Sequence, residues 1–242
     1  MKLLRLPLTG VRPGVRVLST EEARYVARVH RLAEGDLLVV FDPAARIEAE
    51  ARVTSLRERS VELTIGALSA ASVVASRAVR WIHALPKGDK AESIVQDATE
   101  LGASAIAFAE SSRAVVKLDA TRAKARAARW EKIAREAARQ CGRGDAPVIE
   151  SVAPWTAALA AAQESSRFCL YEGATEPCGP RLHAALARGD SLAFAVGPEG
   201  GLTPAEVAAA VACGFEVVSL GALILRTETV CAAVLGAVRI GS

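Results

Sequence analysis

Aromatic side chains are scarce in this chain of 242 residues, which has three Trp, two Tyr, five Phe and a single Met. With 51% of residues apolar there is still material for a sizeable core. Histidine is nearly as rare. His30, His83 and His183 are not spaced as a ligand set, so the expectation is that no metal is bound. Cysteine forms no CxxC pair. The five present (Cys141, Cys169, Cys178, Cys213 and Cys231) read as reduced, mostly buried thiols, which points to the cytoplasm. No apolar run approaches the length of a membrane span, and Met1 to Pro7 lacks the apolar stretch of a signal peptide. The expectation is a cytoplasmic protein with no membrane partner.

Net charge is only +3, but it is unevenly spread. Between Arg113 and Arg143 stand ten basic residues against three acids, Asp119, Glu131 and Glu136. From Gly144 onward the balance reverses to five basic and ten acidic residues. A local excess of positive charge is the footprint of a nucleic-acid contact, and equally of a solvated helix face.

Two architectures follow one another along the chain. Residues 1 to about 72 read as short strands (Leu37 to Phe41, Ile47 to Leu56, Ser60 to Ile65) with turns at Glu34-Gly-Asp36, Asp42-Pro43 and Arg57-Glu-Arg59. One helix, capped at Ser19-Thr-Glu-Glu22, interrupts them. Such a run suggests a small barrel. Gly66 to Arg77 is small and featureless and reads as a linker. From Val79 onward strands alternate with helices: strand 79–85, helix 91–101, strand 105–108, helix 121–141, strand 168–171, a helix near 180–186, strand 192–196, helix 204–213, strand 216–220 and helix 229–240. Alternation of this kind predicts a parallel sheet covered by helices.

Two loops carry most of the information. After Leu192 to Val196 comes Gly197-Pro-Glu-Gly-Gly-Leu202. A complete helix start follows, with Thr203 at the N-cap, Pro204 first and Glu206 third, a capping box. After the next strand comes Leu220-Gly-Ala-Leu-Ile-Leu-Arg-Thr-Glu-Thr229. Ligands of an open parallel sheet bind at the carboxyl ends of its strands, where both loops fall, as does Tyr171-Glu-Gly173. No Gly-Lys-[Ser/Thr] follows, so neither is a P-loop, and no GxGxxG dinucleotide fingerprint forms. What remains is either a pair of structural turns or a site that meets its ligand with backbone groups and apolar side chains, suited to an adenine or a neutral nucleoside.

These two runs resemble the SPOUT methyltransferases, and more narrowly the bacterial 16S ribosomal RNA uracil-N3 methyltransferase (RsmE) family. The resemblance covers essentially the whole chain. Lys87-Gly-Asp-Lys90 with Gln96 and Ala98-Thr-Glu-Leu-Gly102 is similar to a second family motif. Trp130, Ile133-Ala134, Glu136-Ala-Ala138, Gln140-Cys-Gly-Arg143 and Pro147 are similar to a third, and Val29-His-Arg-Leu32 with Phe41-Asp42 to the N-terminal part. Three positions depart from the pattern: Asp97 stands where the family commonly has lysine, Ser112-Arg113-Ala114 replaces a Glu-Arg-Ser turn, and Pro43 follows Phe41-Asp42 in place of glycine.

The resemblance implies an α/β fold. A SPOUT-type parallel sheet with a C-terminal trefoil knot would occupy residues 73–242, and a small PUA-like β-barrel that helps to hold RNA would occupy residues 1–72. It implies a homodimer, and S-adenosylmethionine as cofactor, held by Leu170, Tyr171, Gly197, Pro198, Glu199, Gly200, Gly201, Leu220, Gly221, Ile224, Leu225, Arg226 and Thr227. The substrate implied is the uridine at position 1498 of 16S ribosomal RNA in the small subunit, methylated on ring N3. That nitrogen must lose a proton, so Arg226 is expected to stabilise the developing anion and Glu228, or Glu199, to accept the proton; Glu199 reads more readily as a brace for its own loop. Arg12, Arg16, Arg28, Arg31, Arg122, Arg126, Arg129, Arg139 and Arg143 are expected at RNA phosphates, with Arg143 nearest the target nucleotide, and Cys141 is read as packing. Two alternatives share these features: a SPOUT enzyme acting elsewhere or on a ribose 2′-oxygen, and a non-catalytic RNA-binding assembly factor.

Overall fold

The structure, a computed structural model, describes residues 3–57, 60–114 and 118–241. Glu58 and Arg59 of the predicted turn and Lys117 of the basic stretch lie outside the described residues. The chain divides into two compact units, one made of Met1–Val74 with Arg135–Ala146, the other of Ala75–Ala134 with Pro147–Ser242.

The first unit contains β1 (Leu4–Pro7), β2 (Gly14–Val17), α1 (Thr20–Arg24), β3 (Leu37–Asp42), β4 (Ile47–Arg57), β5 (Ser60–Ile65) and β6 (Ser69–Ala70). Its sheet runs β1-β3-β4-β5-β2, with β6 on β4. In β4, Ala49, Ala51 and Val53 turn inward while Glu50, Arg52 and Thr54 face water, the period-2 pattern of a half-buried strand. Leu6, Val26, Leu38, Val40 and Leu63 complete its core. Ser19 caps α1 as expected, and the helix runs on into a π-helical turn, Tyr25–Val29. Part of the expected linker is strand: Ser69 and Ala70 pair with Glu48 and Ile47. The first unit also takes residues 135–146, which the reading of the sequence left to the second. The Arg139 guanidinium lies 4.6 Å from the centre of the Tyr25 ring, and Arg46 reaches Asp145.

The second unit contains β7 (Val79–Ala84), α2 (Lys90–Glu100), β8 (Ala105–Glu110), the start of α3 (Ala120–Cys141), β9 (Val148–Ile149), β10 (Ala153–Pro154), α4 (Trp155–Ala160), β11 (Ser166–Leu170), α5 (Cys178–Arg188), β12 (Leu192–Val196), α6 (Pro204–Ala212), β13 (Glu216–Val218) and α7 (Thr227–Ile240). All its strands are parallel, in the order β10-β8-β7-β12-β11-β13, with β9 on β8. Its two faces differ in side-chain size. Trp81, Ile106, Phe108, Phe168, Leu192 and Phe194 pack under α2, α3, α5 and α7. Ala84, Ala107, Ala109, Ala193 and Ala195 point the other way, where α4 and α6 lie. Five aromatics meet on the first face, with Phe108 on Trp130 at 4.2 Å and Phe194 between Trp81 and Phe168. The sequence reading placed no element between residues 141 and 168, where β9, β10 and α4 form, and it began α7 at 229, two residues late, since Arg226 is the extended N-cap (φ −65°, ψ 149°) and Thr227 is already helical. Among the described residues, no helix is long and apolar enough to cross a membrane.

Candidate active site

The carboxyl ends of β11, β12 and β13 meet at one cavity of about 670 Å³. The strand order dictates this. The chain passes from β11 inward to β12, then back beyond β11 to β13, so three loops distant in sequence emerge side by side. The volume lies within the roughly 300–1,000 Å³ typical of small-molecule sites. Its wall includes Leu170 and Tyr171, Val196 to Gly201, and Ser219 to Thr227. Every residue that the sequence assigns to the cofactor is therefore gathered here. Seven more residues line the wall: Lys90, Glu172, Val196, Ser219, Ala222, Leu223 and Val230. Lys90 lies within a motif already noted, but its approach to this cavity depends on α2 packing against α7, which no local pattern announces.

Two glycines of the first loop have a steric reason. Gly201 has φ +71°, and a Cβ there would run into the Glu172 carboxylate. At Gly197 a Cβ would meet Leu202 Cγ at 2.9 Å. From the other side the Arg113 guanidinium donates to the Gly200 carbonyl at 3.0 Å. The helix that follows is closed by its capping box. Glu206 Oε2 accepts the Thr203 N–H at 2.8 Å, and Oε1 accepts the Ser112 N–H at 2.7 Å. Burial opposes the Glu206 charge, but the N–H groups of Thr203 and Ser112 outweigh it and hold the carboxyl below its ordinary range.

A charge cluster joins the two principal loops. Lys90 Nζ lies 3.1 Å from Glu199 Oε1 and 3.2 Å from Glu228 Oε2, and the Lys87 N–H donates to Glu199 at 3.1 Å. Glu199 does brace its loop, as read from the sequence, but against the 87–90 turn. Burial works against its charge; its own backbone, Lys90 and Lys87 prevail and lower its pKa. Glu228 is lowered by its own backbone N–H and then by Lys90. The buried His83 ring is pushed down by desolvation, so it is neutral, with Nδ1 2.7 Å from the Ala84 carbonyl oxygen. Glu228 is not part of the cavity lining, and its ion pair makes it a poor proton acceptor. Arg226 is different. It lines the cavity, is exposed, and among the described residues its side chain has no hydrogen-bond or ion-pair partner.

An RNA methyltransferase domain model matches residues 75–239. The ribosomal RNA small subunit methyltransferase E of Bacillus subtilis is 34% identical over 222 residues, which cover 88% of this chain and 84% of that one. The chain belongs to the ribosomal RNA small subunit methyltransferase E family. Solved structures agree. The family member from Neisseria gonorrhoeae, bound to S-adenosylmethionine, has a TM-score of 0.87 at 28% identity, covering 98% of this chain and 97% of that one. A methyltransferase of Legionella pneumophila with bound cofactor SAM has a TM-score of 0.88 at 25% identity, covering 99% and 98%.

For a member of the methyltransferase E family the arginines divide into two groups. Arg12, Arg28 and Arg31 are exposed, and Arg31 takes a left-handed conformation (φ 53°) that a long side chain adopts only under constraint. Arg126 is half-buried; Arg122 pairs with Asp119 and Arg129 with Glu92, both at exposed positions. Arg16 donates to the Thr9 and Gly10 carbonyls, and Arg139 is shared between Tyr25 and Glu136. Arg143 requires correction. It is 4% exposed and its Nε donates to Asp145 at 2.8 Å, so it offers no face to a phosphate and serves the interior of the first unit. Cys141 is half-buried, its Sγ 3.5 Å from the Ala138 carbonyl, as a packing residue would be.

Proposed function

We propose that this protein methylates ring N3 of the uridine at position 1498 in 16S ribosomal RNA, using S-adenosylmethionine held at the β11–β12–β13 cavity. The observation that carries this reading is the gathering of Leu170-Tyr171, Gly197–Gly201 and Leu220–Thr227 around one cavity whose wall is mainly apolar side chains and glycine backbone. Apolar Leu170, Val196, Leu220 and Leu225 suit an adenine, backbone N–H and C=O groups suit its edge and the ribose, and Glu172 and Glu199 suit a cation. When bound, the cofactor supplies a methyl group on a sulfonium, already a strong electrophile, so the protein has to orient the base and manage charge.

Arg226 is the residue suited to that second task, since its guanidinium is uncommitted at the cavity and always charged. It would stabilise the negative charge that spreads onto the uracil oxygens as N3 loses its proton. Glu228 is assigned to the brace around Lys90, not to proton transfer. Arg12, Arg28 and Arg31 of the first unit, whose sheet would close as the PUA-like barrel, and Arg122, Arg126 and Arg129 of α3 would take RNA phosphates. The return of β13 past β11 is compatible with a trefoil knot, and a homodimer is suited to α7, whose outward positions Ala232, Ala233 and Ala237 would let a second helix approach closely. Leu223 and Ile224, 80% and 89% exposed, are further apolar side chains that a second copy would cover.

The test is to incubate the protein and labelled S-adenosylmethionine with small ribosomal subunits and with bare 16S RNA, then map the methylated atom. Label on uridine N3 at one site is expected; label on a ribose, at another nucleotide, or on no RNA refutes the reading. Sizing in solution tests the dimer.

A further inference from the structure

We infer that Lys90 is a positioning residue for the cofactor site: its ion pairs to both Glu199 and Glu228 lock the Gly197–Gly201 loop to the start of α7. The inference rests on the proposed cofactor reading. Lys90 is the first residue of α2, where a cation opposes the helix dipole and an acid would be the better choice. A local rule broken in this way indicates that another interaction sets the residue. That interaction is visible. One ammonium, a compact charge with three donors, faces two carboxylates from segments almost thirty residues apart in sequence, each within 3.2 Å.

Removing the ammonium changes the sign of the local interaction. Glu199 and Glu228 would then face each other with no cation between them, and like charges at such a distance disfavour joint ionisation. Either the loops separate or one carboxyl takes up a proton. The other groups facing this cluster do not compensate. Lys87 contributes only its backbone N–H, and His83, beneath it on β7, is kept neutral by burial.

The experiment measures S-adenosylmethionine affinity by calorimetry from about pH 4.5 to about pH 7.5 for the full-length wild type, Lys90→Met, Lys90→Arg and the double variant Lys90→Met/Glu228→Gln. Wild-type affinity should be flat across this range. Lys90→Met should bind roughly tenfold more weakly at the alkaline end, within the usual range of coupling between sites, and regain affinity toward acid as one carboxyl is protonated. Lys90→Arg should lie close to wild type, and Glu228→Gln should restore most of the loss in the Lys90→Met background. A Lys90→Met protein that binds as wild type, or whose loss is independent of pH and not relieved by Glu228→Gln, overturns the inference. Wild type that binds no cofactor refutes the proposed function instead. A double-mutant cycle on Lys90 and Glu228 by thermal unfolding then still reads the brace, and zero coupling there overturns it.

Discussion

The starts of α6 and α7 invite comparison, because both follow a strand and a glycine-bearing loop and both enter the same cavity region. At α6 every polar group is committed locally. Thr203 and Glu206 cap each other, and Glu206 also ties in the Ser112 N–H. At α7 the N-cap is Arg226, whose side chain makes no cap bond, and the first-turn acid Glu228 is drawn away to Lys90. One helix start is closed on itself and stabilises. The other leaves donors and a guanidinium uncommitted, which costs local stability and is what a ligand-facing terminus requires.

The largest effect should come from the open terminus. Arg226→Ala should reduce methyl transfer to small ribosomal subunits by about 10²–10³-fold, the usual loss when one donor to a developing charge is removed. Cofactor affinity should change only a few-fold and the unfolding temperature hardly at all, since Arg226 pairs with nothing among the described residues. An unchanged turnover number would remove Arg226 from the chemistry and leave the two helix starts functionally alike.

A second substitution tests the loop ahead of the closed terminus. Gly201→Ala forces an L-residue into φ +71°, a cost of about 1–2 kcal/mol. Its methyl would also push the Glu172 carboxylate off the cavity wall. Stability should therefore fall together with S-adenosylmethionine affinity, in contrast to Arg226→Ala, where only turnover falls. Calorimetry with an unfolding curve separates the two. Weakened stability at full affinity would mean that the loop, like the helix after it, is purely structural.

The contrast between the two termini was half legible in the sequence. The capping box at Thr203 and Glu206 is a local pattern with a fixed spacing, and it could be read residue by residue. So could the alternating strands, because side chains of period 2 sort themselves by face, as in Trp81 against Ile82 or Phe194 against Ala195. The start of α7 was misplaced because Arg226 has no cap signature. Lys90 was seen only as part of a motif, since its role depends on α2 lying against α7 across more than a hundred residues. Arg143 misled for a similar reason. Its basic neighbours along α3 look alike in sequence, and only the fold reveals Asp145 beside it in a buried turn. Strand β6 carries two small residues and no hydrophobic pattern, so its pairing with β4 could not be foreseen.

The smallest effect is expected at the closed terminus, and it concerns stability alone. Glu206→Gln keeps the shape of the cap but removes the charge that accepts from Thr203 and Ser112. It should cost about 1 kcal/mol at neutral pH, the usual worth of a helix cap, and leave turnover per folded molecule unchanged. The pH dependence gives the sign. The folded pKa of Glu206 is lowered below the ordinary 4.5, so its contribution is full above that value and lost as pH falls through the folded one. Denaturant unfolding at a series of pH values should therefore show wild type and Glu206→Gln separated at neutrality and converging in acid. A gap that stays constant into acid would mean that the amide fails for reasons of shape, not charge. The two termini would then differ in packing more than in electrostatics.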